Sequence, residues 1–150
     1  MRPLLVLTRD PLPAELRRIL TSSHWVPMPV GGPDEAIAAT LRHDVYVGLA
    51  LLRKGADRVQ LADCRRAIYG LPGLRWVATM TRKQAEVPLI KQLIVERLYD
   101  YQVEPIEPLR LCHALGHAHG IAQIEQDLLR QEPDDISGRY GMTGSSAVMR

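Results

Sequence analysis

The side chains best suited to chemistry here are histidines, arginines and a few carboxylates, and their spacing limits what they can do. His113 and His117 stand four apart, a spacing that turns two imidazoles toward one metal ion from a single helix face. Such an ion needs further ligands. No Asp, Glu or Cys is in register with the pair, His119 lies on another side, and Cys112 points about 100° away from His113. Packed or solvated histidines are therefore expected, and no metal. Arg58 with Arg65-Arg66, and Arg17-Arg18, carry forked guanidiniums that match phosphate oxygens. No nucleotide motif surrounds them, so solvated helix faces are expected. No Ser/His/Asp set, Cys/His pair or cleft-bound carboxylate pair is recognisable, and Asp134-Asp135 falls in a polar stretch suited to spacing.

Composition narrows the classes further. The chain has 150 residues, one domain's worth, with 46% apolar and 24% charged residues, which excludes wholesale disorder. A formal charge of +2 does not argue for nucleic acid or an anionic membrane as partner. Lys stands only at 54, 83 and 91, and Arg supplies the remaining cations, as Arg codons in a GC-rich genome would. No apolar run reaches the roughly 18 residues that span a bilayer. Met1-Arg2-Pro3 leads straight into a short apolar run, unlike a signal peptide. Two cysteines, Cys64 and Cys112, make no disulfide scaffold, and a reducing cytoplasm is expected.

Any site must be positioned by alternating elements. Short apolar runs at residues 4–8, 25–30, 45–52, 76–80 and 99–103 read as strands buried on both faces. Between them, helical spacing occupies residues 13–20, 34–41, 56–69 and 87–98, the last with Pro88 in its first turn, where a missing N–H costs nothing. Asp34 or the turn before it is the expected cap of the second helix. This alternation predicts an α/β fold of flavodoxin-like type, a doubly wound five-stranded parallel sheet, for which the resemblance given below implies the order 2-1-3-4-5.

From Pro108 a longer helix is expected, running to Arg130 with two apolar stripes. One is Leu111, Leu115, Ala118, Ala122 and Leu129, interrupted by Glu125. The other is Ala114, Ile121, Ile124 and Leu128, with His117 in register. One stripe can cover the sheet; a second copy of the chain is the simplest partner for the other, the alternative being that both belong to a single wide core face. Gln131 to Tyr140, with Pro133-Asp134-Asp135 and Ser137-Gly138, reads as a linker.

Asp100-Tyr101-Gln102-Val103-Glu104-Pro105-Ile106 resembles the end of a bacterial receiver domain, whose fifth strand typically reads Asp-Tyr-x-x-Lys-Pro-Phe. Thr81 sits where the receiver's switch Thr or Ser sits, and Leu4 to Asp10 and Asp44 to Leu49 resemble its first and third strands. The tail from Tyr140 to Arg150 looks like the opening of the AAA+ module of sigma-54-dependent transcription activators, and His113 to Gly120 resembles the last receiver helix of a sub-group with degenerate receivers. The resemblance implies a receiver-like domain over residues 1–129, a linker over 130–140 and a truncated AAA+ start over 141–150.

A working receiver holds Mg²⁺ with two acids after the first strand and a phosphoacceptor ending the third; a Lys and the Thr then read the phosphoryl group. Here the acid pair falls on Thr8 and Arg9, with Asp10 one place late. The phosphoacceptor falls on Leu49, with Gly48 nearest, and the Lys on Glu104; only Thr81 and Pro105 hold. These reversed charges leave a Mg²⁺ site electrostatically wrong, so phosphotransfer is not expected. Two arrangements are open for Arg9 and Glu104: a pair across the pocket as a protein-only bridge, or two side chains pointing into solvent and contributing about 0–1 kcal/mol.

By that resemblance the chain is a non-enzymatic regulatory module. It would dimerise through Leu98, Tyr99, Tyr101, Leu111, Leu115, Ile121, Ile124 and Leu128, and control a downstream ATPase. ATP, Mg²⁺, enhancer DNA and sigma-54 RNA polymerase would belong to the whole protein, and no cofactor to this fragment. Some members of the sub-group respond to cyclic-di-GMP, so a sensor for that ligand is the alternative. A small flavodoxin-like enzyme is a further one, opposed by Arg9-Asp10-Pro11 standing where a nucleotide-binding Gly-rich turn would.

Overall fold

The computed structural model describes residues 1–53 and 55–140, the side chains of 132–140 excepted. The Tyr140–Arg150 stretch read as an AAA+ opening therefore lies almost wholly outside the described residues. The strands are β1 (Arg2–Leu7), β2 (Trp25–Val30), β3 (Val47–Leu51), β4 (Arg75–Met80) and β5 (Leu98–Val103). The helices are α1 (Ala14–Ser22), α2 (Pro33–Arg42), α3 (Arg58–Gly70), α4 (Arg82–Ala85), α5 (Pro88–Glu96) and α6 (Pro108–Tyr140). All strand pairs are parallel, as the alternation predicts, and their order is β2-β1-β3-β4-β5, as the resemblance implies.

Two apolar layers hold the sheet. On one face Leu4, Val6, Leu49 and Val77 pack against Leu16 and Leu20 of α1 and Leu111, Leu115 and Ala118 of α6. On the other, Leu5, Ala50, Trp76 and Ala78 pack against Ala36 and Ala39 of α2, Ile68 of α3, and Ile90 and Leu93 of α5. Leu111 and Leu115 are 0% exposed, each stabilising the docking of α6 by roughly 1.5–3 kcal/mol. In β3, a Cβ added to Gly48 would meet the Trp76 ring at 2.5 Å, so this strand yields its own side-chain space to the tryptophan.

The central strands are buried as expected, but β2 and β5 are edges. β2 carries two prolines and is tolerated because of its register. The Arg2 N–H donates to the His24 carbonyl and the Thr8 N–H to the Val30 carbonyl. Alternation then turns residues 26, 28 and 30 toward β1 and leaves Pro27 and Pro29 on the open side, where no ladder bond is lost. In β5, Asp100 and Tyr101 are exposed, and the Tyr101 N–H is taken by the Asp100 carboxylate at 2.8 Å.

Two further differences concern helices. The single turn α4 exists because Thr81 and Gln84 form a reciprocal capping box. The α6 backbone continues through the stretch read as a linker to Tyr140. Extending a helix already nucleated by docking is cheaper than starting one, which offsets the unfavourable Pro133. Among the described residues no helix is long and apolar enough to cross a membrane.

Candidate functional site

The carboxyl ends of β1, β3, β4 and β5 converge on one edge of the sheet, the place where open α/β sheets carry their sites. After β1, the Thr8 hydroxyl donates to the Asp10 carbonyl at 3.1 Å and accepts the Asp10 N–H at 3.3 Å, which turns the chain away from the sheet. That turn sends Arg9 and Asp10 to different partners. Arg9 reaches Asp63 of α3 at 2.6 Å, and Arg66 reaches the other oxygen of the same carboxylate at 3.1 Å. Asp10 accepts from Arg53, just past β3, at 2.9 Å. Of the arrangements open to Arg9 and Glu104, the pair is not formed: Glu104 is exposed beyond β5, and the bridges of Arg9 and Arg53 run within the β1, β3 and α3 side of the edge.

The tip of β3 is also corrected. Leu49 lies mid-strand opposite Val6 and Val77 and is 0% exposed, while Gly48 faces Trp76. The tip is Leu51, Leu52 and Arg53, a register that local pattern matching misplaced because the whole stretch is apolar and gives no phase. Neither assignment puts a carboxylate there.

At β4, Thr81 does close the strand, but its hydroxyl accepts the Gln84 N–H at 3.0 Å and is committed to capping α4. The Gln84 side chain accepts from the Thr81 N–H at 2.9 Å and donates from Nε2 to the Arg53 carbonyl at 2.6 Å. Gln84 is buried and ties the β3 tip to α4. At β5, the Glu104 N–H donates to the Met80 carbonyl at 2.8 Å, and the Glu104–Pro105 peptide is cis.

Leu7, Thr8, Arg9, Leu51, Arg53, Gln60, Asp63 and Cys64 line a cavity of about 40 Å³ at this edge. That volume takes a water or two. Burial pushes the Cys64 thiol up to about 12, so it remains protonated and unreactive at neutral pH. A hard divalent cation needs several oxygen ligands together; here Asp10 and Asp63 are each answered by arginine, and no group of three His, Cys, Asp or Glu among the described residues could hold a metal. The residues do not fit the Mg²⁺ of a working receiver.

The other candidates disperse. Arg17 and Arg18 lie on α1 and Arg58, Arg65 and Arg66 on α3, in opposite layers of the sheet, so they form no single phosphate site. His117 shares a 2.5 Å hydrogen bond with the Tyr99 hydroxyl, and His119 packs edge-on against Trp25 and Tyr46. Of the self-association residues, Leu111 and Leu115 are core and unavailable, because α6 turns that stripe onto the sheet. Leu98, Tyr99 and Ile121 are half-buried; Tyr101, Ile124 and Leu128 are 39%, 58% and 59% exposed. Sequence reasoning missed Arg53, Asp63 and Gln84. The Thr81-x-x-Gln84 spacing was the one legible signal, a capping box.

No protein-family model matches the chain, and no curated protein matches it. Solved structures do. The signal receiver domain of a putative Luxo repressor protein from Vibrio parahaemolyticus has a TM-score of 0.65 at 16% identity, covering 85% of this chain and 95% of that one. A response regulator receiver domain protein from Clostridium thermocellum has 0.63 at 10% identity, covering 83% and 98%. The receiver domain of the sensor histidine kinase PA1611 from Pseudomonas aeruginosa, which holds a magnesium ion in its active-site cleft, has 0.60 at 15% identity, covering 79% and 98%. The topology, the two helical layers and these likenesses together give the chain the fold of a response-regulator receiver domain.

Proposed function

We propose that the chain is a regulatory module of receiver fold that works without phosphorylation of an aspartate. The observation that carries this reading is the occupied carboxyl edge. Arg53 answers Asp10, Arg9 and Arg66 answer Asp63, and Gln84 binds the Arg53 carbonyl. A phosphoacceptor carboxylate, a metal-binding acid pair and a free switch hydroxyl are each replaced by an internal contact. The test is incubation with Mg²⁺ and acetyl phosphate, followed by intact mass measurement. An unchanged mass is expected; stoichiometric addition of a phosphoryl group overturns the reading.

The module acts through α6, which crosses the sheet from the carboxyl edge to the amino edge and then continues. Glu125 pairs there with Arg75, the first residue of β4, and the helix runs on to Tyr140. Fifteen residues beyond Glu125 extend it by about 22 Å. Ile121, Ile124 and Leu128 are the α6 residues of the proposed homodimer; Tyr101 lies beside Ile94 and Val103 of the α5 layer and would belong to a separate patch. The sequence resemblance of the tail makes the downstream partner the AAA+ ATPase of a sigma-54-dependent activator. Reading the gene past Arg150 tests this: a Gly-rich phosphate loop within a few dozen residues supports it, and another domain there refutes it. The scatter of arginines over two layers favours no cyclic-di-GMP site, and calorimetry with that nucleotide is expected to be flat.

A further inference from the structure

We infer that the seat of His119 makes the docking of α6 at the amino edge of the sheet proton-sensitive: a neutral imidazole fits the seat and an imidazolium is expelled from it. The inference rests on the fold and not on the regulatory role proposed above. His119 lies on α6, one turn past the buried Leu115. Its ring sits 5.6 Å from that of Trp25 at 79°, and 5.3 Å from that of Tyr46 at 86°. It thus fills the gap between the first residue of β2 and the segment entering β3.

The groups around it decide the sign. From β1, Arg2 lies over the Trp25 ring, 3.9 Å from the centroid, and is held by the Ser23 carbonyl. A cation therefore already engages one face of Trp25, one of the two rings that flank the imidazole. From α1, apolar Leu16 and Leu20 face this layer, while Glu15, Arg17 and Arg18 are exposed. Before β2, His24 is exposed; ahead of β3 stand Asp44 and Tyr46, with Arg130 of α6 beside both. On α6 itself, His117 is bound to Tyr99 and Glu125 to Arg75. Arg130 is itself answered by Asp127 at 3.4 Å and by Asp44, so the cation that acts on His119 is Arg2, and a protonated His119 adds a second positive charge beside it. Burial and the charge of Arg2 both hold the His119 imidazole below its ordinary value.

The pH dependence follows. The stabilisation from neutral His119 is complete above about 6.5, the unfolded value, and is lost as pH falls through the lower folded value. The tethers on either side respond differently in that window: the Arg75–Glu125 pair persists, because Arg75 holds Glu125 below the usual carboxylate range.

The test is NMR of the 150-residue chain from pH 7.5 to 5.0, with thermal melts at both ends. The expected results are an imidazole titration of His119 below 6.5, amide shifts of residues 115–125 with the same midpoint, and a melting temperature lower by roughly 2–6 °C at pH 5.0. His119→Phe, which keeps an aromatic ring in the seat, is expected to remove the greater part of that fall; if it fails to fold, His119→Gln serves the same comparison. Titration at or above 6.5, amide shifts that do not follow it, or a variant with the wild-type pH dependence overturns the inference.

Discussion

Glu104 and Arg9 show why charge reversal in a sequence does not by itself name the partner. Each is a plausible mate for the other, yet Arg9 pairs with Asp63, 54 positions away, and Arg53 takes Asp10. These pairs are half-exposed, so each contributes only about 0–1 kcal/mol. Gln84 is different. It is buried, and its side chain satisfies the Thr81 N–H and the Arg53 carbonyl. Replacing it by Leu leaves the Thr81 N–H short of that partner, at about 1–3 kcal/mol, while the Arg53 carbonyl keeps the Ala56 N–H at 3.1 Å. Urea unfolding should therefore rank Gln84→Leu well above Arg53→Met, which is expected to change stability by less than about 1 kcal/mol. The reverse order would show that the ion pairs, and not the glutamine, hold the β3 tip. Gly48→Ala is the matching packing test: the added methyl group meets the Trp76 ring at 2.5 Å, so a loss of about 1–3 kcal/mol by the same assay is expected.

Among the elements, α6 divides into a half that the sheet needs and a half that it does not. Leu115 is 0% exposed and packed with Val6, Leu49 and Val77 in one layer; Leu115→Ala is expected to cost about 2–5 kcal/mol. Leu128 is 59% exposed. Leu128→Lys should leave the melting temperature of a dilute sample nearly unchanged, within about 0.5 kcal/mol. If the proposed homodimer uses this stripe, the same change lowers the mass seen by sedimentation equilibrium; an unchanged dimer mass moves the interface elsewhere. The short elements were less legible than the long ones. α4 is four residues held by one capping box, too brief for any hydrophobic period to show. The strand boundaries of β3 shifted for the opposite reason, since an unbroken apolar run has no alternation to mark its ends.

At the scale of the molecule, both sheet edges are closed to strand addition by different means. Pro27 and Pro29 remove two donors from the open side of β2, and Asp100 occupies an outward N–H of β5. A variant carrying Pro27→Val and Pro29→Val, which restores two outward donors, is expected to aggregate more readily, as light scattering would show. An unchanged scattering profile would mean that other features guard this edge.

The alternation of strands and helices and the parallel sheet were determined by the sequence alone, as was the want of a carboxylate at Leu49 or Gly48. They depend on local periodicity and on which residue types are missing, and both can be read without coordinates. Which arginine meets which carboxylate, which stripe of α6 faces inward, and that Thr81 spends its hydroxyl on a helix cap were decided only by the tertiary structure. Each of those depends on distances between segments far apart in the chain, set by the sheet register and by the rotation of a docked helix, and neighbouring residues do not encode such distances.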